Sequence, residues 1–395
     1  MTGTRGGEDA DYLMTGATGF LGSHIMAGLL RRGKRLVIAG RASGNRSLQE
    51  RIRTLLAWFG IEHLQGAIEY HETDFMAPRM GLDEENYETV CDRGLSIIHC
   101  ASDTSFMEKD RAKVMASNVE SLTGILTFAC KSKTRCFHLI SSAYAAGTDH
   151  TECAEGPVTS TRFTNVYEES KARAEAIVSG RCREAGLPFT IIRPSIIYGD
   201  SATGRSLKFN ALYYPVRSLL LIRDIYLEDI KNDHGARSTE YGIHIGEHGT
   251  LHLPLRIRLP HEGRINLVPV DHFTETVLSI VQSPTPGAVY HITARNAVSM
   301  RQLASYTERF LHISGIEVVG GAPPPDQDEA RNPPEEFFGH FIKAYRPYMS
   351  DQRVFRREHT DSLTASTLPP DLSYEIFQRC MSFAVSVDWG KKLFG

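Results

Sequence analysis

Short apolar runs alternate with longer amphipathic stretches along the first half of the chain. The apolar runs lie at residues 12–15, 35–39, 68–75, 95–102, 136–140 and 188–192. Between them, residues 20–32, 49–59, 109–131 and 165–179 have the composition and spacing that are typical of helices. Strands that alternate with helices predict a parallel sheet with right-handed crossovers. The fold class is therefore predicted to be α/β, with a doubly wound parallel sheet of the Rossmann type.

The alternation ends near Ser195, and the second half is organised differently. We expect residues 266–270 to form a strand that returns to the main sheet, with Asp271 as the cap of the next helix. The predicted organisation is a Rossmann domain over residues 1–194 that is rejoined by about 264–292, a smaller part over 195–263 and 293–320, a Pro- and acid-rich linker over 321–336, and a helical C-terminal appendage over 337–395.

Composition narrows the classes of function. The 395 residues have a net charge of −3, so no basic field favours nucleic acid as a partner. Seven scattered cysteines without a C-x-x-C pair indicate reduced thiols and a cytoplasmic protein. We expect no transmembrane segment and no signal peptide. His244, His248 and His252 are four residues apart, but Gly246 and Gly249 interrupt the helix that this spacing needs, so no metal is expected.

A glycine-rich turn joins the first predicted strand to the first predicted helix. Its glycines are Gly16, Gly19 and Gly22, within the run Thr15–Gly22. Glycines there permit a tight turn and let the backbone approach a pyrophosphate at the helix N-terminus. Strand, glycines, helix and second strand within thirty residues predict a dinucleotide site, against the alternative of a turn without a ligand.

The residue after the second strand bears on which dinucleotide binds. An acidic side chain there would hold the ribose 2′-hydroxyl of NAD, whereas this chain has Arg41, with Arg46 nearby. A guanidinium suits a 2′-phosphate, so NADP is favoured over the alternative of a solvated loop arginine. Asp74 ends the third predicted strand and is expected at the adenine edge, and Ala101 follows the fourth, beside the cofactor.

Tyr167 and Lys171 are four residues apart in a predicted helix, and therefore lie on one face. We expect the ammonium group to lower the pKa of the phenol from about 10 and to make it a usable proton donor or acceptor. The alternative is an amphipathic surface helix that carries both residues without a catalytic role. Ser142 and Pro194 follow other predicted strands, at the carboxyl edge where sites of such sheets lie.

With these motifs in view, residues from about Asp11 to His291 resemble the extended short-chain dehydrogenase/reductase superfamily. The resemblance lies in the glycine run, His99-Cys100-Ala101, Ser141–Tyr144, Tyr167-x-x-x-Lys171 and Arg193–Gly199. Within the superfamily the chain is most similar to the thioester reductase and fatty-acyl reductase (male-sterility type) branch. The segments that indicate this branch are Ser142–Gly147, Asn165 before Tyr167, Ser195–Asp200 with Gly204, and Asn266–Asp271.

The resemblance implies roles for individual residues. Ser142 would hydrogen-bond the substrate carbonyl oxygen, with Ser141 as the alternative if the register slips by one. Tyr167 would be the proton donor, and Lys171 would bind the nicotinamide ribose and lower the pKa of Tyr167. The cofactor-binding residues implied are Gly16, Thr18, Gly19, Phe20, Leu21, Gly22, Arg41, Asp74, Ala101, Lys171, Pro194 and Ile196.

The function implied is NADPH-dependent reduction of an acyl thioester, carried on CoA or on an acyl- or peptidyl-carrier protein in trans, to an aldehyde or alcohol. One alternative is an alcohol or hydroxysteroid dehydrogenase, or a sugar-nucleotide epimerase or dehydratase. A second alternative is a non-catalytic dinucleotide-sensing protein. The apolar stretch at residues 209–222 is interpreted as a wall or lid for an acyl chain, as a core helix, or as a peripheral membrane contact flanked by Arg217 and Arg223.

Overall fold

The computed structural model describes residues 11–259, 263–320, 332–364 and 369–394. Within them the chain divides into two compact units. The first consists of residues 11–195, 270–293 and 354–364, and the second of residues 196–259, 263–269, 294–320, 332–353 and 369–394.

The strands and helices are numbered in chain order. The strands are β1 Tyr12–Thr15, β2 Leu36–Gly40, β3 Ile68–Glu72, β4 Ser96–His99, β5 Cys136–Ile140, β6 Glu152–Cys153, β7 Phe189–Pro194, β8 Ile196–Tyr198, β9 His244–Ile245, β10 Leu251–Leu259, β11 Arg264–Ile265, β12 Leu267–Pro269, β13 Val289–Ile292, β14 Val298–Ser299, β15 Ile313–Gly320 and β16 Val354–Phe355. The α-helices are α1 Phe20–Arg31, α2 Leu48–Phe59, α3 Glu84–Asp92, α4 Arg111–Met115, α5 Ser121–Lys131, α6 Val166–Glu184, α7 Tyr213–Asn232, α8 Ala236–Glu240, α9 Val270–Gln282, α10 Met300–Leu311, α11 Pro333–Ile342, α12 Arg346–Met349, α13 Glu358–Thr364 and α14 Tyr374–Ser386.

The first unit is built on a seven-stranded parallel sheet in the order β13-β7-β5-β4-β1-β2-β3. Leu13 of β1 pairs in register with Val37 of β2 on one side and with Ile97 of β4 on the other. The direction of strand succession therefore reverses at β1, which is where ligands bind in open sheets of this kind. The predicted doubly wound α/β fold is confirmed.

Local signals explain why the helices around this sheet begin and end where they do. Ser47 caps α2 with a capping box, because its side chain accepts from the backbone of Glu50 while Glu50 reaches back to the cap residue. Gly60 ends α2 in the left-handed conformation. α1 buries Ile25, Met26 and its other apolar positions and packs against α9. The two helices therefore pack together within the first unit.

The second unit has a smaller sheet in the order β15-β10-β9 and three-residue pairing of β8 with β12. The expectation that residues 266–270 return to the main sheet is wrong, because β12 pairs with β8 and the strand that rejoins the main sheet is β13. The sequence of a short apolar run does not indicate which other strand it will pair with. α9 begins at Val270, so Asp271 lies in its first turn instead of capping it.

The compact units also differ from the expected domain limits. β16 pairs with β6 and α13 packs against β13 and α9, so this stretch of the expected 337–395 appendage belongs to the first unit. In the expected linker, residues 321–331 lie outside the described residues, and Asn332 caps α11. The assignment of the second unit to substrate binding remains a prediction.

The apolar stretch at residues 209–222 is the start of α7, which buries Val216, Leu219 and Ile222 in the core of the second unit. Leu221 on the same helix is 46% exposed. In the described ranges, no helix has both the length and the apolar character that a membrane span requires.

Candidate functional site

The glycine turn leaves no room for side chains at two of its positions. Gly16 directly follows β1 with φ at +72°, and a Cβ atom there would lie 2.5 Å from the backbone nitrogen of Ala101. A Cβ atom on Gly22 would lie 2.2 Å from the carbonyl oxygen of Gly16. The Gly19 amide donates to that same oxygen at 2.9 Å and closes the turn. The turn thus brings backbone close to the N-terminus of α1, which has no acidic residue in its first turn and favours an anion.

Thr18 and the first residues of α1 complete the turn. The Thr18 hydroxyl accepts a hydrogen bond from Nη2 of Arg51 at 2.8 Å. Phe20 begins α1, and its ring contacts that of His24 edge-on at 5.4 Å. Leu21 follows it, half-buried. These residues fit a bound dinucleotide, because the backbone path and the helix N-terminus supply the donors that a pyrophosphate needs.

A cluster of guanidinium groups stands at the carboxyl end of β2. Arg41 follows the last residue of the strand and is exposed, and Nη1 of Arg51 donates to its carbonyl oxygen at 2.9 Å. Burial and the nearby charges of Arg46 and Arg41 lower the pKa of Arg51. Arg51 is not among the residues expected from the sequence. Its position in the first turn of α2, after the cap residue Ser47, is the sequence feature that could have indicated it.

Of the remaining predicted cofactor residues, all but Ile196 lie at the carboxyl edge of the seven-stranded sheet. Asp74 is exposed two residues beyond β3, which is shorter than expected, and its carboxylate accepts from the amide of Met76 at 2.9 Å. Ala101 lies against Gly16 in the loop after β4. Pro194 is the last residue of β7, whereas Ile196 begins β8 in the second unit.

The structure brings Ser142, Tyr167 and Lys171 together at the carboxyl end of β5. Asn165 caps α6 by accepting from the amide of Glu168 at 3.1 Å, which sets Tyr167 in the first turn. A side-chain hydrogen bond joins Tyr167 to Ser142. Nζ of Lys171 lies 5.8 Å from the centroid of the Tyr167 ring. A carbonyl oxygen placed here would meet two hydroxyl groups, which is the arrangement that stabilises developing negative charge.

The neighbouring Ser141 has a different environment. Its hydroxyl donates to the buried carboxylate of Glu175, which also binds Arg193 through Nε at 2.9 Å and Nη2 at 2.6 Å. Arg193 in turn contacts Nε2 of His291 at 3.2 Å. Since Ser141 is engaged in this buried network, Ser142 is the serine whose hydroxyl faces Tyr167.

The expected lowering of the Tyr167 pKa is not what the structure shows. Burial raises the pKa of Tyr167, and the hydrogen bond with Ser142 only partly opposes this. Burial also lowers the pKa of Lys171 to about 8, against the opposing effects of Cys100 and Glu175. The prediction is wrong because desolvation by burial has the largest effect on the pKa of this phenol. The phenol is accordingly held protonated, which suits a proton donor.

Asn118 is a residue whose role sequence reasoning missed. The helix expected over 109–131 is divided into α4, a π-helical turn at Ala116–Glu120, and α5. In that turn, Asn118 accepts from the amide of Asp103 at 2.7 Å and donates to the hydroxyl of Ser170 at 2.9 Å. Asn118 thereby ties the loop after β4 to α6, at the residue before Lys171. Inserted turns of this kind are frequent at functional sites.

The histidine spacing noted in the sequence does not build a metal centre in the part of the chain that the structure describes. His244 and His252 face each other across β9 and β10 with ring centroids 4.9 Å apart. His248 lies in a separate turn with φ at +58°. No group of three or more ligating side chains is assembled among the described residues.

Comparison with known proteins decides the family. The family model described as "Male sterility protein", an NAD-binding domain, matches residues 14–277. The chain belongs to this family. It is thus an NAD(P)-binding oxidoreductase of the extended short-chain dehydrogenase/reductase type. The branch indicated by the motifs, that of thioester reductases and fatty-acyl reductases of the male-sterility type, is confirmed.

Relatives and solved structures agree with this membership. Isonitrile lipopeptide synthase of Streptomyces coeruleorubidus is 32% identical over 202 residues, which are 49% of this chain and 13% of that protein. The terminal R domain from the myxalamid PKS-NRPS pathway has a TM-score of 0.74 at 20% identity, over 97% of this chain and 92% of that one. A thiolation-reductase di-domain from an archaeal non-ribosomal peptide synthetase has a TM-score of 0.67 at 18% identity, over 97% of this chain and 76% of that one. The two solved structures show the shared fold, and the chain spans a small part of the synthase.

Proposed function

We propose that this chain reduces acyl thioesters with NADPH, releasing an aldehyde or an alcohol. The observation that supports this most strongly is the meeting of Ser142, Tyr167 and Lys171 at one strand end. That strand end is close to the glycine turn. The backbone of Cys100 lies against Gly16, and the Cys100 thiol also influences the pKa of both Tyr167 and Lys171.

Each side chain has a defined task in this proposal. Bound NADPH would supply a hydride to the thioester carbon. The Ser142 hydroxyl donates a hydrogen bond to the carbonyl oxygen while negative charge builds there. Tyr167, which burial keeps protonated, gives its proton to that oxygen. The resulting hemithioacetal loses its thiol and becomes an aldehyde, and a second reduction of that aldehyde would give an alcohol.

The preference for NADPH rests on the guanidinium cluster at the carboxyl end of β2. Arg41 and Arg51 are linked through the Arg41 carbonyl, and Arg51 also reaches Thr18 in the glycine turn. Among the described residues, neither guanidinium forms an ion pair with a carboxylate. Their positive charges are therefore not balanced by a paired carboxylate and would attract the doubly charged 2′-phosphate.

The proposed substrates are thioesters on CoA or on an acyl- or peptidyl-carrier protein in trans. The names of the matched proteins support a carrier, since one is a lipopeptide synthase and another joins a thiolation domain to a reductase domain. A cytoplasmic location is proposed as well, because all seven cysteines are free thiols.

The alternatives have less support. The family match does not favour a hydroxysteroid or alcohol dehydrogenase, or a sugar-nucleotide epimerase or dehydratase. A non-catalytic dinucleotide sensor would not need Ser142, Tyr167 and Lys171 to converge.

A substrate panel tests the proposal. NADPH absorbance is followed with acyl-CoAs, acyl-carrier proteins, aldehydes, sugar nucleotides and steroids, with Tyr167→Phe as the control. We expect oxidation with thioesters that is lost in the control. Oxidation with aldehydes and never with thioesters would contradict the proposal, and faster oxidation of NADH than of NADPH would contradict the role of the arginines.

A further inference from the structure

The loop between β4 and α4 places the ring of Phe106 against the phenol of Tyr167, and Met107 is the next residue along the loop. The ring of Phe106 lies 5.8 Å from that of Tyr167, centroid to centroid, with the ring planes inclined by 45°. The next residue, Met107, is 50% exposed. An exposed methionine beside a half-buried phenylalanine is an apolar surface that reaches the edge of the site.

Several polar contacts hold this loop in one conformation. The amide of Ser105 donates to the Asp103 carboxylate at 2.9 Å, and the Ser105 hydroxyl donates to that of Asp110 at 2.6 Å. Lys113 forms an ion pair with Asp103 at 2.9 Å. Asn118 binds both the amide and the carbonyl group of Asp103. The carboxylates of the loop are therefore engaged, and Phe106 is held against Tyr167 by a fixed backbone.

We propose that Phe106 and Met107 contact the hydrocarbon part of the acyl group next to the reacting carbonyl, so that the site selects thioesters of apolar acyl chains. The inference rests on the proposed function. A carbonyl oxygen that reaches the hydroxyls of Ser142 and Tyr167 must have its carbon beside the phenol ring, and Phe106 covers that ring. The two side chains offer no hydrogen-bonding group, which suits methylenes better than the amides of a pantetheine arm.

A chain-length series tests this. Straight-chain acyl thioesters from about two to ten carbons are compared on CoA and on N-acetylcysteamine, in the native chain, Phe106→Ala and Met107→Ser. Each methylene that the loop covers can raise kcat/KM by up to about fourfold, the factor that corresponds to ~0.8 kcal/mol per buried methylene. In both variants we expect the logarithm of kcat/KM to rise with each added methylene by at most about half as much as in the native chain. For the acetyl thioester, kcat/KM should change by less than about threefold.

Met76→Ser is the matched control. Met76 is 58% exposed, and it follows β3, which is separated from β4 by β1 and β2 in the sheet. We expect this variant to keep the native dependence on chain length. An unchanged dependence on chain length in both loop variants would overturn the inference. So would a loss of kcat/KM that differs between CoA and N-acetylcysteamine thioesters but not between short and long acyl chains. If the native chain reduces no thioester of the series, the proposed function fails and the inference with it.

Discussion

Nζ of Lys171 donates a hydrogen bond to the carbonyl oxygen of Ile140 at 3.0 Å, so α6 is fastened to the last residue of β5. Ser142 lies two residues beyond Ile140, and Tyr167 lies one turn before Lys171. This contact therefore helps to hold α6 beside the strand end that precedes Ser142. Lys171 is buried here, and it is this burial that lowers its pKa.

The first prediction concerns pH. Burial lowers the pKa of Lys171 to about 8 and raises that of Tyr167, so Lys171 is the first of the two to titrate as pH rises. We expect the reduction rate to be constant below about pH 7.5 and to fall up to tenfold per pH unit above about 8, because the ammonium is lost. Measured pH profiles of kcat check this, with Lys171→Arg as the variant that stays charged.

In Lys171→Arg the alkaline fall is expected to move to higher pH. An alkaline fall at the same pH in both proteins would contradict the role of Lys171, and a rate that rises through pH 8 would indicate that phenolate is the active form. The stability effect has the opposite sign. The pKa of Lys171 is lower in the folded state, so the unfolded chain binds more protons between about pH 8 and 10.5. The free energy of unfolding therefore rises with pH through that range, because the cost of burying the ammonium is relieved.

The second prediction separates two adjacent serines. Ser142→Ala is expected to lower kcat by about 10², because it removes a donor to the substrate oxygen. Ser141→Ala is expected to cost about 1–3 kcal/mol in the free energy of unfolding, because the buried Glu175 carboxylate loses a donor. Steady-state kinetics and urea unfolding of both variants measure the contrast. The reverse pattern would show that the register places Ser141 at the substrate.

The third prediction concerns the cofactor phosphate. Arg51→Ala is expected to raise KM for NADPH by about tenfold or more and to leave KM for NADH nearly unchanged, because it removes a charged donor from the 2′-phosphate. Arg53→Ala, exposed on the same helix, is the matched control and should leave both values unchanged. Equal effects of Arg51→Ala on the two cofactors would mean that Arg51 acts on the fold of the glycine turn through Thr18.

Much of the first unit could be predicted from local pattern. β1 and β5 have the expected bounds because both are continuous apolar runs buried on both faces. The strand expected over residues 68–75 ends at Glu72, because the amide of Asp74 donates to the carbonyl oxygen of Met80 and the chain turns away from the sheet. The strands β16 and β6 lie far apart in the sequence, and no local feature of Val354–Phe355 specifies that they pair.

The candidate site was predictable in its residue types but not in its electrostatics. Tyr167 and Lys171 were placed on one face by their spacing alone. The depth at which α6 is buried decides the direction of both pKa shifts, and that depth depends on packing against α4, α5, β7 and the π-helical turn at Ala116–Glu120. Arg51 and Asn118 were missed for the same reason, because their partners Thr18 and Ser170 are brought to them only by the folded chain.

The central claim is that Tyr167 protonates a thioester carbonyl as it is reduced. The most direct measurement follows NADPH oxidation and thiol release together on one acyl thioester, in the native chain and in Tyr167→Phe. We expect one thiol released for every one or two NADPH oxidised, according to whether the product is aldehyde or alcohol, and a loss of about 10² to 10⁴ in kcat in the variant. NADPH oxidation without thiol release, or unchanged turnover in Tyr167→Phe, would contradict the account.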